Sequence, residues 1–294
     1  MAGSRQRMIV VTGATGLQGG AVARHLLKEG WQVRGLTRNA ESKQTQVLAA
    51  MGAEVVQGDM NDPVSLRPAF EGAYGVYSLQ NPYIGGPEAE VRQGKNVGDV
   101  AKEAGVQHFV YGSAGTGKQG TGVPSWETKL QVEDHLKSLE LPLTIVRPLA
   151  LMEIMIHKKF YPAVGAWQIM PKLMGTSRNV GWLCADDLGA IVARAFDAPQ
   201  EFVGRELALA SDVQSLKQCR TIYREVMGKN PSSFPMPLWL FKRFGFMGQD
   251  LTTMWTWLQT GTVDLNIAPT RAIYPGALTV REWLSKQKAS SSAS

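Results

Sequence analysis

The chain is short of the residues that build metal centres and covalent frameworks. Its two cysteines, Cys184 and Cys219, sit far apart and in no Cys-x-x-Cys or Cys/His spacing. That excludes a disulfide scaffold and gives a zinc site no support. The four histidines, His25, His108, His135 and His157, form no HxH or HExxH pattern, so no metal is expected. His157, with Tyr161, follows the sixth predicted strand, and a lone histidine in an amphipathic segment is by default structural. Long apolar runs are missing too. Nothing approaches the roughly 18 residues of a membrane span, and the apolar run 8–12 behind Arg5 and Arg7 is too short for a signal sequence. No membrane association is therefore expected, and the default setting is the cytoplasm. Basic residues exceed acidic ones by six, but they are scattered and the pairs Lys158-Lys159 and Lys242-Arg243 are short. With no alternation of aromatics and arginines, no nucleic-acid partner is expected. No G-x-S-x-G elbow is present, and Gly112-Ser113-Ala114 lacks a triad, so acyl transfer is not expected.

What is present is alternation. Short β-branched runs at 8–12, 32–37, 54–57, 75–79, 108–111 and 143–146 alternate with helical patterns at 19–29, 88–104 and 126–139. Repeated βαβ crossovers give an α/β fold, a doubly wound parallel sheet of the Rossmann type with helices on both faces. The pattern loosens after Pro148. A strand at 180–184, a helix at 188–196 capped by Asp186 or Asp187, a strand at 206–210 and a helix at 216–227 are predicted. Residues 231–261, rich in Met, Trp, Phe and Leu, read as a helix packed on several sides or a lid. The predicted organisation is a nucleotide-binding core at 1–148 with elements returning near 180–210, a smaller α/β lobe at 149–288, and a disordered Ser/Ala-rich tail at 289–294.

The first strand runs directly into Thr12-Gly13-Ala14-Thr15-Gly16-Leu17-Gln18-Gly19-Gly20, a GxxGxxG turn that opens a helix. Gly13 permits the tight turn, Gly16 lets the backbone approach a pyrophosphate, and Gly19 allows close packing of helix on strand. The helix N-terminus supplies N–H groups and partial positive charge. At the end of the second strand an acidic residue would select NAD, but this chain has Thr37-Arg38-Asn39. Arg38 can hold a 2′-phosphate by paired charge-assisted hydrogen bonds, with Arg34 or Lys43 adding charge, so NADP(H) is the expected cofactor. After the third strand Asp59 can accept from an adenine amino group and Met60 can pack on the ring, although Asp59 can equally cap the helix beginning near Asp62. Asn81-Pro82 follows the fourth strand and Ser113 the fifth.

Taken together, TGATGLQGG, TRN at 37–39, GDMND at 58–62, EVRQGKNV at 90–97 and VRPLALME at 146–153 resemble the NmrA-like branch of atypical short-chain dehydrogenase/reductases, over roughly residues 6–230. The resemblance implies NADP(H) on the Rossmann edge and a smaller C-terminal lobe closing a substrate cleft. By position it places cofactor contacts on Gly13, Thr15, Gly16, Leu17, Gln18, Arg38, Asp59, Met60, Asn81, Lys129 and Glu153. Ordinary members of the wider group pair a Tyr-x-x-x-Lys motif with a serine on the fifth strand. Here Lys129 stands at the lysine position and Ser113 at the serine position, but Ser125 occupies the tyrosine position. A serine hydroxyl is too weak an acid to replace a lysine-tuned phenol. Lys129 also has a plain alternative, an exposed i,i+4 pair with Glu133.

Three functions remain. One is hydride transfer from NADPH to a small, electron-poor acceptor such as a quinone, an activated alkene or a conjugated dye, whose stabilised anion takes its proton from solvent. The apolar lobe around Trp167, Trp239 and Trp255 would then stack on a planar substrate. The second is a catalytically silent NADP(H) sensor acting through a protein partner that docks on 236–258. The third, a sugar-nucleotide or isomerase-type enzyme, is disfavoured by the missing tyrosine.

Overall fold

A computed structural model describes residues 7–156, 165–232 and 235–292, so His157 and Tyr161 lie outside the described residues. The chain divides into two compact units. The first comprises Met1–Gln119, Ser125–Arg147 and Ala185–Leu207; the second comprises Gly120–Pro124, Pro148–Cys184 and Ala208–Ser294.

From the N-terminus come β1 (Met8–Val11), α1 (Leu17–Lys28), β2 (Gln32–Thr37), α2 (Lys43–Ala50), β3 (Glu54–Gln57) and α3 (Pro63–Phe70). Next are β4 (Ala73–Ser78), the short α4 (Pro82–Gly85), α5 (Pro87–Glu103), β5 (His108–Gly112), α6 (Pro124–Ser138) and β6 (Leu143–Pro148). The chain then builds β7 (Ala150–Leu151), α7 (Met170–Met174) and β8 (Asn179–Leu183) before α8 (Ala185–Asp197), α9 (Pro199–Phe202) and β9 (Glu206–Leu209). Last come β10 (Asp212–Ser215), α10 (Leu216–Met227), α11 (Leu238–Phe241), α12 (Gly245–Thr260), α13 (Ala268–Ile273) and α14 (Val280–Ser292).

Seven strands form the main sheet in the order β3-β2-β1-β4-β5-β6-β9, and each pairing from β3 through β6 is parallel. This is the expected doubly wound α/β arrangement. The strand order reverses between β1 and β4, which is where such sheets open a crevice at their carboxyl edge. One face of the sheet packs Val76, Phe109 and Tyr111 against Val97, Ala101, Val132 and Leu136 of α5 and α6. On α1 and α8 the contact is closer still: a Cβ at Gly189 would stand 2.6 Å from the Ala21 carbonyl oxygen. Asp186 and Asp187 lie in the first turn of α8, where Asp186 meets His25 at 3.2 Å and Arg24 at 3.6 Å.

In the second unit β8 pairs antiparallel with β10 and parallel with β7. Trp167 and Trp255, expected to line a substrate site, are core residues instead. The Trp167 indole N–H donates to the Met155 carbonyl at 3.0 Å, and Trp255 stacks on Phe241 with centroids 5.9 Å apart. Trp239 alone of the three is open to solvent, 62 % exposed, with Leu240 and Phe244 exposed beside it. The tail expected to be disordered continues α14 as far as Ser292. Its serines suit a helix end because Ser290 and Ser291 return their hydroxyls to the carbonyls of Lys286 and Gln287 at 3.1 and 3.0 Å.

His108 at the start of β5 gives the fold a pH dependence. The Thr144 hydroxyl donates to the Phe202 carbonyl at 2.8 Å, so it must accept from His108 Nε2, 2.9 Å away. That leaves Nδ1 bare and buried, and burial lowers the imidazole pKa to about 4. The unfolded chain therefore binds a proton that the folded chain refuses between pH 6.5 and about 4. The stabilisation is complete above pH 6.5 and fades by about 3 kcal/mol as pH falls to 4. Urea unfolding of wild type and His108→Gln across this range should show a steeper acid loss in wild type; parallel curves would refute the assignment.

Candidate functional site

The carboxyl ends of the parallel strands carry most of the expected site residues along one edge of the first unit. Thr12, fully buried, locks the switch point. Its hydroxyl donates to the Leu79 carbonyl at 3.0 Å and accepts from the Leu79 N–H at 2.7 Å, tying the ends of β1 and β4 together. Gly13 then takes a left-handed φ of 61°. A Cβ at Gly19 would lie 2.3 Å from the Gly13 carbonyl oxygen, so only glycine lets α1 start this close to the strand. Gly16 caps α1 with no side-chain hydrogen bond, and no acidic residue occupies the first turn. The first turn of α1 thus keeps its backbone N–H groups and partial positive charge unopposed by any carboxylate of its own. Thr15 and Gly16 are exposed at the turn, Leu17 and Gln18 are half-buried, and Gln18 Oε1 is buried without a hydrogen-bond partner.

Beyond β2 the loop is tied by its own side chains. Asn39 Oδ1 accepts from the Glu41 N–H at 2.9 Å, Thr45 Oγ1 donates to the Asn39 carbonyl at 2.8 Å, and Ser42 caps α2. Arg38 projects from this loop exposed, with no hydrogen bond or ion pair among the described residues. Arg34, expected to add charge here, does not. Its side chain donates to the Ala69 and Glu71 carbonyls at 2.9 Å each, closing the C-terminus of α3, and lies 3.0 Å from Glu54 on the neighbouring strand. Lys43 stands exposed at the first position of α2.

At the end of β3, Asp62 caps α3 by accepting from the Val64 N–H at 3.0 Å. Asp59 instead turns the loop, Oδ1 accepting from both nitrogens of Asn61 at 2.9 and 2.8 Å. Met60 is held from two sides, its carbonyl by Asn96 at 2.9 Å and its sulfur by Gln80 Nε2 at 3.6 Å. After β4, Asn81 caps the one-turn α4 through the Tyr83 N–H at 2.9 Å, with Pro82 buried behind it. Gln80 is buried with Oε1 unpartnered, while its carbonyl accepts from Lys129 Nζ at 3.1 Å. Met60, Gln80 and Lys129 are thus brought together by direct contacts.

Lys129 is neither exposed nor paired with Glu133. Its ammonium meets Glu90 Oε1 at 2.8 Å, with side chains 7 % and 0 % exposed. The Thr128 hydroxyl donates to Glu90 Oε2 at 2.5 Å. Glu133, four residues on, turns to a separate buried cluster, gripped by Arg147 through both carboxylate oxygens. Ser113 donates its single proton to Glu133 Oε1 at 2.5 Å. Ser113, at the position of the family's serine, thereby braces Glu133. Lys129 Nζ lies 5.5 Å from the centroid of the Tyr111 ring, but Tyr111 is fully buried. Burial first, then Glu90 and Glu133, push its phenol well above the usual range, the opposite of a lysine-tuned donor. Ser125, at the tyrosine position, is buried at the start of α6. Glu153 is buried in the turn Met152–Met155 of the second unit.

Glu90 escapes a reading by periodicity because it looks like a surface charge. A signal exists nonetheless: Glu90, Gly94, Val97 and Ala101 fall at helical spacing on the buried stripe of α5. A carboxylate heading an apolar stripe requires a buried cation, and Lys129 provides it.

The sequence profile of the NmrA-like family matches residues 5–284. An NmrA-like family domain-containing oxidoreductase, hkm9 of Aspergillus hancockii, is 30 % identical over 286 residues, 90 % of this chain and 85 % of that protein. Among solved structures, the triphenylmethane reductase of Citrobacter sp. complexed with NADP(H) superposes with a TM-score of 0.78 at 23 % identity, covering 95 % of this chain and 99 % of that one. NmrA, a negative transcriptional regulator, in complex with NADP gives 0.76 at 20 % identity, covering 98 % and 97 %.

Replacing Ser113 by Ala separates bracing from catalysis. With bracing alone, the variant loses about 1–2 kcal/mol of stability and keeps its turnover within about twofold. A fall in kcat of roughly 100-fold or more at unchanged fold would restore Ser113 as a proton-transfer residue.

Proposed function

The chain belongs to the NmrA-like family, and from that premise we propose that it is an NADPH-dependent oxidoreductase acting on a small, planar, electron-poor acceptor. The observation that carries this reading is the exposed, unpaired Arg38 on a braced loop beside an uncapped glycine turn. The two features suit different phosphates of one ligand. Gly13, Gly16 and the first turn of α1 cradle a pyrophosphate, and Arg38 grips a 2′-phosphate with its planar fork. The unpartnered Gln18 and Gln80 oxygens, both buried on this edge, offer acceptors for ligand hydroxyl or amide groups. Asp59 and Met60 bound the adenine end, Asn81 and Pro82 line the edge after β4, and Lys129 holds a ribose hydroxyl.

Bound NADPH supplies the hydride. The protein's own part is orientation and exclusion of water, since Ser125 cannot deliver a proton as a phenol would. This limits the acceptor to one whose reduced form is a stabilised anion, such as a quinone, an activated alkene or a conjugated dye, protonated by solvent.

The replaced tyrosine equally favours a second reading, a silent NADP(H) sensor acting through a protein partner. NADPH oxidation, followed by absorbance with a panel of quinones, enones and triphenylmethane dyes and with NADH in parallel, decides between them. Sustained turnover with NADPH preferred is expected. Tight NADPH binding with no acceptor reduced would favour the sensor. Arg38→Glu should invert the preference toward NADH, and equal affinity of that variant for both cofactors would overturn the role given to Arg38.

A further inference from the structure

A buried ion pair is a poor source of stability, because desolvation of two charges offsets most of their attraction. The Glu90–Lys129 pair is nearly water-free, yet it sits on the edge that carries the cofactor residues. Its geometry is one-sided. Lys129 commits one proton to Glu90 and one to the Gln80 carbonyl. Glu90 is in turn fixed by the Thr128 hydroxyl, so both carboxylate oxygens are engaged. Glu133 does not contribute to balancing Lys129, being occupied by Arg147 and Ser113. Glu90 is therefore the carboxylate that neutralises the lysine.

We propose that Glu90 is a positioning residue that sets the balance between oxidised and reduced cofactor at this site, by cancelling the positive charge of Lys129. The inference rests on the NADP(H) reading above. The two cofactor forms differ by one positive charge on the nicotinamide ring. A bare ammonium among the cofactor-binding groups disfavours the cationic, oxidised form, while a neutralised pair treats both forms more evenly. Glu90 thereby helps oxidised cofactor to stay bound, and its loss speeds release of NADP+.

The test is the ratio of dissociation constants for NADP+ and NADPH, measured by calorimetry on the full chain. Glu90→Gln keeps the size but removes the charge and one of the two acceptors that now receive Lys129 and Thr128. The ratio should rise about 3- to 10-fold, the size expected of one unit charge acting across a partly screened boundary. Lys129→Gln leaves the carboxylate uncompensated and should move the ratio the other way, whatever it does to overall affinity. The double variant should return close to the wild-type ratio, since both charges are gone. The Lys129→Gln arm carries the test on its own should Glu90→Gln fail to fold. If both forms weaken by the same factor in each variant, Glu90 is purely structural and the inference falls alone. If wild type binds neither form, the cofactor reading falls and takes this inference with it.

Discussion

The edge of the first unit depends on how closely α1 approaches the end of β1. With no Cβ at Gly19, the helix begins against the Gly13 carbonyl, at a separation where any side chain would overlap the backbone. Everything that follows inherits this placement. The helix N-terminus is aimed across the switch point, the Thr12 bonds to Leu79 hold the next strand end level with it, and the stretch from Leu79 to Pro82 is delivered to the same edge. On the far side of α1, the contact between Gly189 and Ala21 fixes the helix from behind. A helix clamped on two sides by backbone contacts has little freedom to adapt, so the geometry of its N-terminal turn is set by packing alone.

A second constraint runs through α6. Lys129 and Glu133 stand one helical turn apart and bear opposite charges, which in isolation pairs them with each other. Packing overrides that choice. The lysine turns to Glu90 on α5, and the glutamate turns to Arg147 on β6. One helix thereby anchors two separate buried charge clusters, one beside the chain that leaves β4 and one bracing Ser113 at the end of β5. The second reaches solvent through Glu206 and Lys137, which meet at 2.6 Å.

The glycine turn, the parallel sheet and the exposure of Arg38 were legible in the sequence because each depends on local chain chemistry: a tight turn, an alternating pattern, a basic residue at a strand end. The partners of Lys129, Arg34 and Ser113 were not. Each is fixed by a residue more than 15 positions away, on an element whose placement only tertiary packing decides. Trp167 and Trp255 misled for a related reason, since an aromatic side chain reads the same in sequence whether it faces a cleft or a core. The residues 289–292 misled oppositely, because serines that favour disorder by composition can serve a helix end by bonding back to its carbonyls.

The loop after β2 also bears on the thermodynamics of recognition. Asn39, Ser42 and Thr45 have already fixed its backbone through bonds of their own, so the ordering entropy of the loop is spent in folding. On the proposed reading of Arg38, what remains to be ordered on binding is one guanidinium side chain, at a cost on the order of 2 kcal/mol. A site that works as proposed would change its allegiance between phosphorylated and unphosphorylated ribose at a single position, leaving the scaffold that presents it untouched.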